Sequence, residues 1–193
     1  MKKTDIIFLL EETEKKLFTT GDLKKILKIG KENTLYKTIG GLIKENILTP
    51  LHKGKYLYRN SRPNDFEIAN FLYSPSYISF ESALGYYNIL IQAPYKIFSA
   101  TPLRNKIIES DNKEYAYTHI SPKFYFGYNR EKSFIIASPE KALTDLMYLA
   151  SKGLKALDIK NLDLAGINRK EFYLILKKMS NKLLENFAKK LIK

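Results

Sequence analysis

Cysteine and tryptophan are missing from these 193 residues, and histidine occurs only at positions 52 and 119. The missing thiols exclude disulfides, thiolate metal sites and cysteine nucleophiles, and they suit a reducing compartment. Two histidines so far apart lack the spacing of a metal-ligand set, so no metal is expected. Long apolar runs are lacking too: none approaches the roughly 18 residues that a membrane span needs, and no membrane partner is expected. The first residues carry two lysines but turn at once to Glu11, Glu12 and Glu14, which does not suit a secretory signal. The expected location is therefore the cytoplasm. No glycine-rich phosphate loop, nucleophile elbow or paired-aspartate polymerase signature is present, so neither a cofactor nor a catalytic residue is expected. Internal repeats and low-complexity tracts are absent as well.

What is present is an ordinary globular composition, 45% hydrophobic and 27% charged, which argues against disorder. The formal net charge is +13, and that points to a polyanionic partner. The excess is uneven: the first 60 residues hold 13 basic and 7 acidic side chains, the other 133 hold 20 and 13. Charge density is thus higher at the N-terminal end, although a lysine-rich proteome would raise lysine everywhere.

The N-terminal part is organised around Lys31 to Arg59. Leu35, Ile39, Leu42 and Ile43 recur at helical spacing and Ile47 continues the row, which predicts an amphipathic helix. Lys31, Asn33, Thr34, Lys37, Gly41 and Lys44 form its polar face, and Asn46 stands where a left-handed residue would end it. Two short β-like runs follow, 47–51 and 56–59, joined by the basic turn His52-Lys53-Gly54-Lys55. Upstream, Ile6, Ile7, Leu9 and Leu10 give a first helix its buried face. Leu17-Phe18 is an extended link, and a second helix from about Gly21 to Leu27 is capped by Thr19 or Thr20 with Asp22 in its first turn. Three short helices and a basic hairpin are the elements of a winged helix-turn-helix, residues 1–60. Gly40-Gly41 inside the third helix conflicts with helix propensity and reads either as close approach of a DNA backbone or as tight helix packing or a bend.

Residues 61–193 read as a second domain. Pro63 disfavours helix before it, and Asp65 to Tyr73 reads as a helix burying Phe66, Ala69 and Phe71 or Leu72. Ser79 is placed to cap a helix from Phe80 to about Tyr87. Runs at 95–100, 114–120, 124–126 and 133–136 are aromatic and β-branched, which predicts an antiparallel sheet of four or five strands. Ser138-Pro139-Glu140 starts a helix to about Ala150 that buries Ala142, Leu143, Leu146, Met147 and Leu149. Asn168 caps a helix over 169–178, and a last one runs from about Asn181 to the end. The expected fold class is α+β: a winged helix-turn-helix, then an α/β domain with a central antiparallel sheet flanked by helices.

Three segments carry a resemblance: Gly54-Lys55-Tyr56-Leu57-Tyr58-Arg59-Asn60, Pro75-Ser76-Tyr77-Ile78-Ser79-Phe80-Glu81-Ser82-Ala83-Leu84, and Ala137-Ser138-Pro139-Glu140-Lys141-Ala142-Leu143-Thr144-Asp145. With these motifs the chain resembles the AbiEi-type antitoxins, the transcriptional-regulator component of type IV toxin–antitoxin systems in phage abortive infection. The resemblance implies a repressor of its own operon that counteracts a nucleotidyltransferase-like toxin. It places DNA binding in the first domain and antitoxin action in the second, with catalysis belonging to the toxin, and it does not fix direct contact between the two proteins. The present wing is short, so operator architecture does not carry over from larger members.

The residues expected on double-stranded operator DNA are Lys31, Asn33, Thr34, Tyr36 and Lys37 on the third helix, with His52, Lys53 and Lys55 on the hairpin. Lysines would meet phosphates, and the Asn33 amide can pair with adenine; a dimer on DNA is compatible with this set. Glu140 and Asp145, five apart, share a helix face poorly and read as a helix-start charge and a polar aspartate. Other readings stay open: a stand-alone winged-helix regulator whose second domain senses a ligand or protein, or RNA stacking on Tyr115, Tyr117, Tyr125 and Tyr128 with Lys123 and Arg130. The terminal helix, with Leu183, Leu184, Phe187 and Leu191 opposite lysines, reads as packed on the sheet domain or on another subunit in preference to a membrane surface.

Overall fold

The helical and extended patterns of the N-terminal third become α1 (Lys3–Glu11), β1 (Leu17–Thr19), α2 (Thr20–Ile26), α3 (Glu32–Lys44), β2 (Leu48–His52), β3 (Lys55–Tyr58) and α4 (Asp65–Leu72) in the computed structural model, which describes residues 2–92 and 94–191. Leu35, Ile39 and Leu42, spaced along one side of α3, are buried with Leu10, Phe18, Leu23, Leu48 and Tyr56 in one apolar core. The helix ends as its sequence demands: Asn46 is left-handed at φ 56°, and the N–H of Ile47 returns 2.9 Å to the carbonyl of Leu42. At the start of α2 the bonding is reciprocal. Thr19 Oγ1 accepts from the Asp22 N–H at 3.0 Å while the Asp22 carboxylate accepts from the Thr19 N–H at 2.9 Å. Partial burial works to raise the Asp22 carboxyl, yet the bonds from Thr19 and then Lys15 hold it below the usual aspartate range. The three strands form an antiparallel sheet in the order β1-β3-β2.

Contacts divide the chain between Leu72 and Tyr73, so α4 belongs to the first unit, beyond the break expected near residue 60. The physical reason is polar. Lys16 Nζ lies 3.3 Å from the Glu67 carboxylate, and Lys55 Nζ donates to the carbonyls of Phe71 and Leu72 at 2.6 and 2.8 Å.

The second unit contains β4 (Tyr77–Ile78), α5 (Phe80–Tyr86), β5 (Ile97–Thr101), β6 (Lys106–Ser110), β7 (Lys113–His119), β8 (Tyr128–Glu131), β9 (Phe134–Ala137), α6 (Pro139–Ser151), α7 (Arg169–Met179) and α8 (Lys182–Leu191). Its six strands lie in the order β6-β7-β5-β4-β9-β8. The chain is α+β, but its sheet is mixed where an antiparallel one was expected, because β5 and β7 pair in parallel, as do β4 and β9. The two-residue strand β4 bonds antiparallel to β5 on one side and parallel to β9 on the other, and so joins the two halves of the sheet. One further expectation changes, and a strand beyond the expected runs appears. Phe124-Tyr125-Phe126 is a 3-10 turn (Pro122–Phe124) and loop, with the Phe124 ring edge-on to Tyr148, and Lys106–Ser110 is an edge strand. Positions 192 and 193 of the expected terminal helix lie outside the described residues, as does Ala93.

Every residue from Glu140 to Leu149 is buried, so α6 is enclosed on all sides and its charges have no water to turn to. Lys141 and Asp145, one turn apart and both 0% exposed, answer each other: the ammonium bonds Asp145 Oδ1, while Oδ2 accepts from Tyr77 Oη at 2.8 Å and Ser79 Oγ at 2.9 Å. Burial first, and then the Asp145 charge, push the Tyr77 phenol well above its ordinary pKa, so it stays a donor. Lys141 also lies over the rings of Phe126 (5.1 Å) and Tyr77 (5.7 Å). Ser79 occupies the N-cap position of α5 but makes no side-chain cap, because its hydroxyl is committed to Asp145. Ser138 and Asn168 do cap α6 and α7. Gly127, at φ 75°, leaves the space: a Cβ there would stand 3.0 Å from Lys141 Cγ.

Asp145→Asn leaves the Lys141 ammonium buried without its counter-charge, and urea denaturation is expected to show a loss of about 3–5 kcal/mol. Removing both charges in Lys141→Met with Asp145→Leu recovers part of that loss.

Candidate nucleic-acid interface

With Leu35, Ile39 and Leu42 turned to the core, the 3.6-residue period of α3 sends Lys31, Asn33, Thr34, Tyr36 and Lys37 outward, and all five are exposed. Asn33, Lys37, Gly40-Gly41 and Lys44 follow one another at helical spacing along that outer side. Tyr36 is 57% exposed, an uncommon expenditure for an aromatic ring that the apolar core does not need. Thr38, beside this row, bonds the Thr34 carbonyl of its own helix at 2.9 Å.

The two glycines are not there for packing. A Cβ built at Gly40 or Gly41 meets nothing within 4 Å, so the tight-packing reading fails and a strip of bare helix backbone faces outward.

The β2–β3 turn is held, not loose. Gly54 is left-handed at φ 71°, its carbonyl accepts from the Thr20 N–H at 2.9 Å, and a Cβ on it would come within 3.1 Å of Thr20 Oγ1. The N-terminus of α2 therefore fixes the hairpin tip, a role for Thr20 that sequence reasoning assigned only to capping. His52 and Lys53 are exposed at this tip. An open groove of about 610 Å³ is lined by Tyr36 and Ile43 from α3, Pro50, His52 and Lys53 from the hairpin, and Thr20. Pro50 is tolerated because β2 is an edge strand.

Seven of the eight expected residues thus stand exposed on α3 or the hairpin tip. Lys55 does not join them. Its ammonium is committed to the last carbonyls of α4, where a cation meets the negative end of the helix, and it stacks over Phe71 at 5.1 Å. What the exposed set offers chemically is three lysine cations for phosphates, an amide for a base edge and an aromatic face.

The remaining candidates sit in the second unit. Tyr115 and Tyr117 are buried core residues, with burial pushing the Tyr117 phenol up, so they cannot stack on bases. Tyr125 and Tyr128 are half-buried and pack against Tyr77 with centroids 5.1 and 4.8 Å away. His119 Nδ1 lies 2.8 Å from the Leu103 carbonyl. The Glu140 carboxylate accepts from the Asn168 N–H at 3.0 Å and so ties the start of α7 to α6.

No protein-family model matches the chain, and no curated protein does. Among solved structures, it is similar to the crystal structure of the RV2827C protein from Mycobacterium tuberculosis, with a TM-score of 0.58 and 13% identity over 96% of this chain and 70% of that one. At that identity the likeness concerns the fold alone. Among the described residues no helix is long and apolar enough to cross a membrane.

Because open space surrounds both positions, Gly40→Ala and Gly41→Ala are each expected to raise stability by up to about 1 kcal/mol in thermal melts. Lys55→Met is expected to lower the melting temperature, since its charge serves the last carbonyls of α4.

Proposed function

We propose that the first unit is a winged helix-turn-helix with α3 as recognition helix and the β2–β3 hairpin as wing, and that it binds double-stranded operator DNA. The observation that carries this reading is the exposed row Lys31, Asn33, Thr34, Tyr36 and Lys37 on the same unit as a basic hairpin tip tied to α2. Lys31, Lys37 and Lys53 meet phosphates, Asn33 reads a base edge, Tyr36 offers an aromatic face, and the glycine strip lets the backbone come close. Lys55 is left out of this set. The element order α1-β1-α2-α3-β2-β3 supports the same reading.

For the whole chain we propose an antitoxin and autorepressor of the AbiEi type, acting in the cytoplasm without a reaction of its own. Support comes from the three sequence segments named above. Two of them have a physical reason to occur together, because Tyr77 and Ser79 of one bond Asp145 of the other. The proposed functional partner is a nucleotidyltransferase-like toxin.

Lys37→Glu with Lys53→Glu is expected to leave the melting temperature unchanged and to weaken binding to the DNA upstream of the gene. Two lost phosphate contacts shift the slope of log affinity against log salt by about 2. An unchanged slope in a folded variant overturns the assignment. Antitoxin action is expected to survive in that variant.

A further inference from the structure

In the α7–α8 hairpin the inner side is fully used: Phe172, Leu176 and Met179 of α7 and Leu184 and Ala188 of α8 are buried where both helices pack on α6. The turn is fixed by Ser180, left-handed at φ 45°, and by Asn181, whose Oδ1 accepts from the Leu184 N–H at 3.0 Å. A slot of about 280 Å³ opens between the two helices, with the buried Leu176 and Ala188 at its base and Tyr173, Lys177, Glu185 and Lys189 around it. Tyr173 at its edge is 53% exposed, and Leu174, the next residue of α7, is 51% exposed. Lys170, Lys177, Lys178, Lys182, Lys189 and Lys190 are all exposed along the same pair of helices, against only two acids, Glu171 and Glu185.

We propose that this face docks an acidic amphipathic helix of a partner protein, an apolar side chain entering the slot and carboxylates meeting the lysines. Charge complementarity selects the occupant. A second copy of the same face would bring lysines against lysines, and a nucleic-acid backbone would gain nothing from Leu174 or the aliphatic base of the slot, whereas a helix with an apolar row and acidic flanks satisfies both features. The slot is separate from the proposed DNA-binding residues. It rests on the antitoxin reading only for the partner's identity, so loss of operator binding would leave this inference standing.

The test uses the full-length protein and a labelled 18-residue synthetic peptide, glutamate-rich with leucines at helical i, i+3, i+4, i+7 spacing, read by fluorescence anisotropy at two salt concentrations. Saturable, salt-sensitive binding is expected. Tyr173→Ser with Leu174→Ser is expected to weaken it at least tenfold while the protein still unfolds in one cooperative transition, as is Lys177→Glu with Lys189→Glu. Replacing the leucines of the peptide by serine is expected to do the same, and Lys37→Glu with Lys53→Glu to do nothing. Absence of binding overturns the proposal. So does equal binding of the leucine-free peptide, or a duplex that displaces the peptide equally from wild type and from the Tyr173→Ser, Leu174→Ser variant, since either result means a generic polyanion surface. Concentration-dependent dimerisation lost in that variant overturns it in favour of a second copy.

Discussion

The carboxylate of Asp145 is a charge without water, and the second unit is arranged to answer it. Three donors reach it: the Lys141 ammonium from its own helix, Tyr77 Oη from the strand at the centre of the sheet, and Ser79 Oγ from the start of α5. A buried ion pair costs desolvation on both sides, and it persists only where further hydrogen bonds satisfy the remaining lone pairs and protons. Here those bonds come from segments more than sixty residues away in the chain. They fix where β4 lies, and β4 joins the two halves of the mixed sheet. These bonds thus tie the strand that joins the two halves of the sheet to the enclosed helix α6.

The first unit meets a different constraint with similar means. A helix can offer a polar row to a ligand only if its orientation is set from behind, and Leu35, Ile39 and Leu42 set it in the apolar core. A hairpin can add contacts at a defined place only if its tip does not swing, and the Gly54 carbonyl bonded to the Thr20 N–H holds it. Both devices hold the exposed side chains and the hairpin tip in one geometry. Tyr36 and the open glycine strip are the residues this scaffold does not itself require.

Local chemistry was legible in the sequence. The α3 stripe, the left-handed Asn46, the caps at Thr19, Ser138 and Asn168 and the turn at Gly54 each depend on residues within a few positions, and each is found where the pattern put it. What failed was non-local. A strand of two residues such as β4 has no periodicity to detect, and parallel against antiparallel pairing is decided by partners far along the chain. Lys141 and Asp145 at i, i+4 look like an ordinary surface pair; only the enclosure of α6 gives them another meaning. Ser79 has the sequence of a cap and is diverted by that same carboxylate. Lys55 belongs to a basic turn by sequence, yet its reach across to α4 removes it from the exposed set. The aromatic runs at Tyr115 and Tyr117 carried no sign of which face was inside, and the sheet buries both.

The most direct measurement of the account is backbone amide chemical-shift mapping of the full-length protein, titrated with a short duplex from the region upstream of its own gene. The account predicts that the largest changes fall on residues 31–37 and on the turn at 52–54, with Lys55 little affected and the α7–α8 hairpin silent. Changes confined to the lysines of α7 and α8, or spread evenly over every exposed lysine, would contradict it. In that case the net charge attracts nucleic acid without a designed interface, and α3 is not a recognition helix.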